Sequence, residues 1–388
     1  MSKLDDALNI YSILADQLKT PRKTPTGIFP VDLYTDGGFA EGFIHVVAGK
    51  YKGGKTTMVM KAVANSQLKY PHKHHFWFDF EGTFDTHKAV DHGINLSKLH
   101  IVRPETGGEA SDLICRMVDE RCEDIGIIAI DSLNRIINAK EFDKEADEHT
   151  IAYNASIVTT MLKRVGAKLN AWSLKTEDRP TVLAISQIRS NIGFGFKDYK
   201  IPGARALEHD ASCILVCNPG QEYEDTKNKE LAMADFNVIF DKVKVASFHI
   251  KKTEYTMCIG RCQEFSNGQL IPTGFIDDFN FVLAQLKALG LYAGGGSNQR
   301  IRTPELEEIT FRTQNDMMDL FYSNPVLYAR LKHHIMVKRR QEKRLINNEP
   351  YMDYIWKDQS ESTNSPEPEA VEEAETSVKK TRKKSKAE

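Results

Sequence analysis

The stretch Gly49-Lys50-Tyr51-Lys52-Gly53-Gly54-Lys55-Thr56 matches the phosphate-binding loop pattern G-x-x-x-x-G-K-[ST] at every fixed position. Residues 43–48 precede it as an apolar run typical of a strand, and residues 57–63 follow it with a pattern typical of a helix. In this context backbone N–H groups and a helix N-terminus bind phosphate, which disfavours the alternative of a chance glycine turn. We therefore expect Lys55 to contact the outer phosphates of a nucleotide and Thr56 to ligate Mg²⁺.

Two further strand-like runs end in carboxylates. Residues 125–130 are continuously apolar, as buried parallel strands are, and Asp131 follows them. Ligands of open α/β sheets bind at the carboxyl ends of the strands, so Asp131 is the candidate acid on the Mg²⁺ side; the alternative is an ordinary turn residue. Residues 76–80 lead to Glu81, which we expect to polarise the attacking water, the alternative being a solvated strand-end carboxylate.

A third run, residues 182–186, leads to Gln187 and then to a segment rich in glycine, aromatic and basic residues. A glutamine at this sheet edge orients water or contacts the γ-phosphate. Aromatic side chains that alternate with cations suit single-stranded nucleic acid, through base stacking and phosphate contact. The alternative is a surface loop whose aromatic residues pack onto the core. The predicted nucleic-acid contacts are Arg189, Asn191, Gly193, Phe194, Phe196, Lys197, Tyr199, Lys200 and Arg205.

The order of these segments resembles that of the RecA-type recombinases, and more narrowly that of the phage members of the UvsX kind. The resemblance is collinear from about Gly37 to about Gly268. The phosphate-binding loop alone is common to many NTPases, so the ordered set is the more specific signal. The segments similar to family motifs are Gly37-Gly38-Phe39-Ala40-Glu41-Gly42, Phe78-Asp79-Phe80-Glu81, Pro104-Glu105-Thr106-Gly107-Gly108-Glu109, Ile130-Asp131-Ser132 and Ser186-Gln187-Ile188-Arg189.

The resemblance implies an α/β fold, a RecA-like P-loop ATPase core with a mostly parallel central sheet. It implies a catalytic set of Glu81, Lys55 and Gln187, in which Glu81 activates water. Gln187 would report the γ-phosphate to the second DNA-binding loop behind it. Residues 138–147 lie where the family has its first DNA-binding loop, although here that stretch is acidic as well as basic.

The same resemblance implies further contacts to the nucleotide. Asp85 lies where the family places an acid near the adenine, but Thr86-His87-Lys88 follows where cellular members have an aromatic residue. Lys251 and Lys252 lie near the strand from which two basic residues enter a neighbour's ATP site, where they act as arginine fingers do. Mg²⁺ would be ligated by Thr56 and Asp131. The predicted nucleotide contacts are Gly49, Lys50, Tyr51, Lys52, Gly53, Gly54, Lys55, Thr56, Thr57, Asp85, Asp131, Lys251 and Lys252.

Composition sets broader bounds. The 388 residues carry a formal net charge of only −2, so any nucleic-acid surface must be local or arise by assembly. We find no apolar stretch long enough to span a bilayer and no signal peptide, and expect a cytoplasmic protein, in the host cell if it is phage-encoded. The six cysteines form no C-x-x-C pair, which favours free thiols over a metal site.

Composition shifts predict four regions. Residues 1–36 would form an N-terminal oligomerisation helix and linker; the helix docks on the next protomer or, alternatively, packs on its own domain. Residues 37–285 would form the ATPase core with its DNA-binding loops. Residues 286–358 are expected to be mainly helical after a flexible linker at 293–297, and their last helix is basic, either a duplex-DNA surface or a solvated face. Residues 359–388 are expected to form a disordered charged tail.

The expected function is an ATP-dependent DNA recombinase that forms filaments on single-stranded DNA and promotes homologous pairing with duplex DNA and strand exchange. ATP and Mg²⁺ would be its cofactors, and a single-strand-binding or loader protein its partner. One alternative is a hexameric DNA helicase with a RecA fold, which would usually carry an N-terminal domain larger than residues 1–36. Another is an ATP-regulated recombination mediator without a working base, against which Glu81 argues.

Overall fold

The computed structural model describes residues 20–136, 150–190, 199–201, 207, 209–225, 229–246, 250–260, 271–303 and 306–347. The predicted N-terminal helix within residues 1–19, the first DNA-binding loop at 138–147 and the tail at 359–388 lie outside these residues. None of the helices in the described part of the chain is both long enough and apolar enough to cross a lipid bilayer.

A nine-stranded sheet organises the protein. From one edge to the other its strands are β13 Ile276–Asp277, β12 Lys252–Cys258, β11 Leu231–Val243, β10 Cys213–Glu224, β3 Ile44–Gly49, β7 Thr181–Gln187, β6 Ile125–Asp131, β4 His74–Asp79 and β5 Leu99–Val102. The strands from β10 to β5 in this order are parallel, whereas β11, β12 and β13 extend the sheet antiparallel. This confirms the predicted α/β core with a mostly parallel sheet. The other described strands are β1 Lys23–Thr24, β2 Phe39–Ala40, β8 Arg189–Ser190, β9 Tyr199–Lys200, β14 Tyr292–Gly295, β15 Asn298–Thr303 and β16 Leu306–Phe311.

Helices cover both faces of the central strands, so that β3 (Ile44–Gly49) and β6 (Ile125–Asp131) are buried along their whole length. In β6, Ile128 and Ile130 contribute to one core cluster and Ile127 and Ala129 to the other, as the two-residue period of a strand requires. One cluster includes residues of helices α4 (Gly107–Arg121) and α5 (Thr150–Trp172), and the other includes residues of α2 (Lys55–Lys69). The helices are α1 Phe29–Tyr34, α2 Lys55–Lys69, α3 Thr86–Asp91, α4 Gly107–Arg121, α5 Thr150–Trp172, α6 Phe279–Ala288, α7 Gln314–Ser323 and α8 Pro325–Asn347.

The prediction of a flexible linker over residues 293–297 is wrong. These residues form the end of β14 and the turn into β15, and Gly294 and Gly296 adopt positive φ angles of 96° and 61°. Glycines that suggest a linker in the sequence here permit a tight hairpin turn. The region expected to be mainly helical therefore contains the antiparallel sheet β14-β15-β16 before its helices α7 and α8.

A third core cluster lies around α6, α7 and α8. It includes Phe29 and Leu33 of α1 together with Val282, Phe321 and Leu331 from the later helices. The elements from β1 to Arg340 belong to one compact unit. The four boundaries drawn from composition stay predictions.

Candidate nucleotide-binding site

The phosphate-binding loop follows β3 and is held against β10 by close backbone contacts. A Cβ atom at Gly49 would lie 1.9 Å from the Cys217 carbonyl oxygen, and one at Gly53 would lie 2.4 Å from it. The Lys50 N–H donates a 3.2 Å hydrogen bond to this same oxygen. Glycine is therefore required at both positions by the approach of a second backbone, and at Gly54 by a φ of +81° immediately before α2.

Lys55, the first residue of α2, folds back across this loop. Its Nζ donates a 2.7 Å hydrogen bond to the Lys50 carbonyl oxygen, and the residue is only 9% exposed. Burial lowers the pKa of the Lys55 ammonium, while the nearby Cys217, Asp131 and Glu81 favour its charged form. A phosphate bound in the loop would offer this cation stronger charge-assisted hydrogen bonds than a carbonyl does.

A cleft with a volume of ≈ 280 Å³ lies over the loop and brings together side chains from five separate segments. Because the carboxyl ends of parallel strands meet at one sheet edge, β4, β6 and β7 deliver Glu81, Asp131 and Gln187 to it. The cleft is lined by Tyr51, Lys52, Gly53, Gly54, Lys55, Thr56, Thr57, Glu81, Lys88, Asp131, Ser132, Ile185 and Gln187. All three residues of the predicted catalytic set are among them.

Asp131 and Thr56 form the part of the cleft suited to a metal ion. The Thr56 side chain interacts with the Asp131 carboxylate. Burial, followed by the charges of Glu81 and Asp79, raises the pKa of Asp131 to about 7. A carboxylate beside a hydroxyl supplies the oxygen ligands that Mg²⁺ prefers, and a divalent cation would stabilise the ionised form of this buried acid. The residues present therefore fit the predicted Mg²⁺ site.

Glu81 is held by a residue for which no role was predicted. The Ser132 hydroxyl donates a 2.6 Å hydrogen bond to Glu81 Oε1. Ser132 itself is buried, with 1% of its surface exposed, whereas Glu81 is half-buried at the cleft. The carboxylate that we expect to polarise water thus has one oxygen anchored by the residue that follows Asp131.

The turn that carries Glu81 is stabilised by Asp79 and Arg103, which sequence reasoning also missed. The Arg103 guanidinium donates to Asp79 Oδ2 from both Nε and Nη2, at 3.2 and 3.0 Å. Asp79 also accepts from the N–H groups of Thr83 and Phe84. A carboxylate at the end of a strand, two residues before Glu81, is the feature of the sequence that could have identified Asp79. The pairing of Arg103 with Asp79 depends on the alignment of β4 with β5, which the sequence does not show.

Gln187 is exposed at the end of β7, and its backbone is held by Asn134. Asn134 Oδ1 accepts from the Gln187 N–H at 2.7 Å, and Asn134 Nδ2 donates to the Gln187 carbonyl oxygen at 3.3 Å. Two residues later, β8 begins and pairs with β9, so that Arg189 lies opposite Lys200. The predicted second DNA-binding loop therefore starts from a two-stranded stem immediately behind Gln187.

Most of the predicted DNA contacts, Asn191, Gly193, Phe194, Phe196, Lys197 and Arg205, lie outside the described residues. Tyr199 lies within them. Its ring packs against the core, and its hydroxyl donates a 2.9 Å hydrogen bond to Asp241 of β11. These contacts favour a structural role for Tyr199 over base stacking.

A second cleft, with a volume of ≈ 390 Å³, adjoins the first and shares Lys52, Gly54, Thr57 and Lys88 with it. Its size and mostly apolar wall suit the base and sugar of a nucleotide. The wall also contains Asp91, His92, Pro219, Gly220, Glu222, Leu231, Ala234, Asp235, Phe236, Met257, Cys258, Ile259 and Thr273.

Asp85 is not among the described residues that line either cleft. Its carboxylate caps α3, accepting from the N–H groups of His87 and Lys88 at 2.9 and 3.1 Å. Its contact with adenine stays a prediction. Lys251 and Lys252 are exposed and line neither described cleft, so their action on a neighbouring protomer also stays a prediction.

The basic residues of α8 are partly committed to contacts within the chain. Lys332 pairs with Asp278 at 2.6 Å, and Arg340 pairs with Asp36 at 3.3 Å. Arg339 donates to the Gln285 side chain. These contacts reduce the basic surface that the sequence suggested for duplex DNA.

The described cysteines are all buried free thiols, as predicted, and Cys262 lies outside the described residues. Burial raises the pKa of the Cys122 thiol to about 11, which makes it a poor nucleophile and metal ligand. Within the part of the chain that the structure covers, no group of three or more potential metal ligands of the His, Cys, Asp and Glu types is present.

Comparison with known proteins agrees with this geometry. The chain is 24% identical over 195 residues to protein RecA of Streptococcus thermophilus, a match that covers 50% of this chain and 49% of that protein. It is 26% identical over 238 residues to protein RecA of Ureaplasma parvum, covering 60% and 66%. For protein RecA of Enterococcus mundtii the values are 26% over 242 residues, covering 62% and 67%. The chain thus spans between about half and two thirds of the length of these curated relatives.

The family model described as the RecA N-terminal domain matches residues 13–262, which is more than half of the chain. This range contains the phosphate-binding loop and the residues that line the cleft over it, which we call the phosphate cleft. By this match, the chain belongs to the RecA family.

Proposed function

We propose that this protein is a DNA-dependent ATPase that acts as a recombinase. The observation that carries the proposal is the cleft in which Lys55, Thr56, Asp131, Glu81 and Gln187 meet. Each of these residue types has a role in nucleotide hydrolysis coupled to a conformational response. Membership of the RecA family supports the same reading.

The chain's own groups divide the chemistry between them. Backbone N–H groups of the loop and the Lys55 ammonium would bind the phosphates and neutralise charge that develops on the leaving oxygens. Mg²⁺, held by Thr56 and Asp131, would supply a positive charge that stabilises the negative charge of the phosphate oxygens. Glu81, anchored at Oε1 by Ser132, would accept a hydrogen bond from the attacking water and orient it.

Gln187 would link hydrolysis to DNA. Its side chain is exposed at the phosphate cleft, and β8 begins two residues later as the stem of the predicted DNA-binding loop. The γ-phosphate would therefore change the placement of this stem when it is bound or released. In a filament on single-stranded DNA, Lys251 and Lys252 would complete a neighbour's site, and the bound strand would pair with a homologous duplex.

The remaining proposals rest on the sequence. The narrower resemblance to phage recombinases of the UvsX kind suggests a phage-encoded protein that acts in the cytoplasm of the host cell. A single-strand-binding or loader protein would assist its assembly on DNA. A hexameric helicase and an ATP-regulated mediator stay as alternatives that assembly state and turnover distinguish.

Turnover of ATP with and without single-stranded DNA tests the enzymatic proposal. Lys55→Ala should abolish turnover, and Glu81→Gln should retain nucleotide binding while hydrolysis falls by at least about a hundredfold. Lys175→Ala, at an exposed lysine beside Trp172, is the matched control and should turn over normally. Normal turnover in Lys55→Ala would overturn the assignment, and absence of any turnover in the unmodified protein would favour the mediator.

Electron microscopy on long single-stranded DNA with a slowly hydrolysed ATP analogue tests the assembly. Continuous helical filaments are expected for a recombinase. Closed rings threaded on the strand would instead identify a helicase that uses the same ATP residues.

A further inference from the structure

The short 3₁₀ turn Leu133–Arg135, directly after Asp131 and Ser132, contacts the end of β7 through one side chain. Asn134 Oδ1 accepts from the Gln187 N–H at 2.7 Å and from the Ser186 hydroxyl at 3.2 Å. Asn134 Nδ2 donates to the Gln187 carbonyl oxygen at 3.3 Å. One amide therefore satisfies both backbone groups of the predicted γ-phosphate sensor.

This contact begins where the regular sheet ends. The last residue pair between β6 and β7 is Ile130 with Ala184, three residues before Gln187. Beyond that point Asn134 supplies the acceptor and the donor that a neighbouring strand's peptide would supply. A primary amide is suited to this because it carries both an acceptor oxygen and donor N–H groups.

The opposite edge of β7 is held by the phosphate-binding loop. Gln187 lies in register with Gly49, and the Ile188 N–H donates to the Gly49 carbonyl oxygen at 3.2 Å. The Gln187 backbone is thus fixed between the first glycine of the loop and Asn134. β8 begins at Arg189, two residues beyond this fixed point.

The same turn also reaches the catalytic carboxylate. Ser132 donates to Glu81, and the Arg135 N–H donates to the Ser132 carbonyl oxygen at 3.0 Å, which closes the turn. Glu81 is therefore hydrogen-bonded to Ser132, and Gln187 is hydrogen-bonded to Asn134. Ser132 and Asn134 are separated by one residue of the same turn. This chain of contacts consists of protein groups alone, and Ser132 is the residue that follows Asp131.

We propose that Asn134 is a positioning residue that couples the nucleotide site to the predicted DNA-binding loop, by holding the Gln187 backbone to the segment that carries Asp131 and Ser132. This inference rests on the proposed function. In this view the turn moves with the hydrolytic site, and Asn134 transmits that movement to the loop stem. Without its amide, β7 would still form up to Ser186, but residues 187–190 would respond less to the nucleotide.

The test compares Asn134→Ala and Asn134→Asp with the unmodified protein. Alanine removes all three hydrogen bonds, whereas aspartate keeps the acceptors and loses the donor to the Gln187 carbonyl oxygen. The control is Asn170→Ala, at an exposed asparagine of α5. The readout is the ratio of ATP turnover with single-stranded DNA to turnover without it, measured with the melting temperature of each variant.

We expect the ratio to fall about tenfold in Asn134→Ala and by less in Asn134→Asp, with any decrease in the DNA-free rate smaller than this. An unchanged ratio would overturn the proposal. This includes the case in which both rates fall in parallel and the melting temperature decreases, because that result indicates that Asn134 only stabilises the fold. If the unmodified protein shows no stimulation by DNA, the proposed function itself fails.

Hydrogen exchange without DNA provides a second readout that does not depend on turnover. In the unmodified protein, a slowly hydrolysed ATP analogue should slow exchange over residues 187–200. In Asn134→Ala this protection should be lost while protection of residues 49–56 by the same analogue is retained. Equal protection of residues 187–200 in both proteins would contradict the coupling, whereas loss of protection at 49–56 as well would show that nucleotide binding, not coupling, had been damaged.

Discussion

Ser132 Oγ donates a 2.6 Å hydrogen bond to Glu81 Oε1, across 51 residues of sequence. The residue next to the predicted Mg²⁺ ligand thereby orients the predicted general base. The two motifs are connected a second time through the backbone, because the Phe80 N–H donates to the Asp131 carbonyl oxygen at 2.8 Å. The positions of Asp131 and Glu81 are therefore coupled, and substitutions that remove single hydrogen bonds test this coupling.

Ser132→Ala should lower the maximal ATPase rate by about tenfold and leave the Michaelis constant for ATP nearly unchanged. The expected cause is that Glu81 loses its anchored oxygen and samples orientations in which it does not contact the attacking water. Ser132→Thr keeps a hydroxyl and should retain more activity than alanine. A rate for Ser132→Ala equal to that of the unmodified protein would show that Glu81 needs no such anchor.

Asp131→Asn should change how stability depends on pH. The folded-state pKa of Asp131 is about 7, above the value of about 4 expected in the unfolded chain. Between these values the folded state holds a proton that the unfolded state releases, so the Asp131 contribution to stability falls as pH rises from about 4 to about 7. Asparagine removes this loss.

Without nucleotide and Mg²⁺, the melting temperature of Asp131→Asn should therefore exceed that of the unmodified protein by roughly 4 °C or more at pH 8, because a pKa difference of about three units corresponds to about 4 kcal/mol. The difference should shrink towards pH 4. Thermal unfolding across this range, with Asp124→Asn at an exposed acid as control, provides the measurement. An equal difference at both ends of the range would contradict the assigned pKa.

Gly49→Ala should destabilise the protein by on the order of 1–3 kcal/mol and abolish nucleotide binding. The new Cβ atom would lie 1.9 Å from a backbone oxygen of Cys217, and Gly49 has a φ of +154°. Gly295→Ala is the matched control, because a Cβ there has no heavy atom within 4 Å. Unfolding by denaturant and titration with a fluorescent ATP analogue would measure both effects; a variant as stable as the control would contradict the steric argument.

Tyr199→Phe should leave affinity for single-stranded DNA within about twofold and lower the melting temperature, because it removes the hydrogen bond to Asp241 from a half-buried ring. Phe194→Ala, at a predicted stacking residue, should instead weaken DNA binding about tenfold or more. Fluorescence anisotropy with an oligonucleotide compares the two. A large loss of affinity in Tyr199→Phe would show that its hydroxyl contacts DNA.

Lys88→Ala should weaken ATP binding more than it weakens binding of inorganic triphosphate. Lys88 lines both clefts, so its side chain lies between the cleft proposed for the phosphates and the cleft proposed for the nucleoside. Lys88→Tyr would supply an aromatic face for the base and should recover part of the loss. Calorimetric titration with both ligands would measure this; equal losses for ATP and triphosphate would confine Lys88 to the phosphates.

The local motifs could be predicted from the sequence because each depends on neighbouring residues. The loop from Gly49 to Thr56 carries its own geometry in its glycines, and the apolar run before Asp131 specifies a buried strand by its length and composition. Strands of this kind place their carboxyl ends together in a parallel sheet. The sequence therefore predicts that Glu81, Asp131 and Gln187 meet at one edge of the sheet.

The fold alone decided which side chains hold those residues in place. Ser132 with Glu81, Asn134 with Gln187 and the Cys217 carbonyl with the phosphate loop are contacts between segments far apart in the chain. No local periodicity encodes them, because they depend on strand order and register. The hairpin at residues 293–297 differs for a related reason: glycine permits both a linker and a tight turn, and only pairing of the flanking strands selects between them.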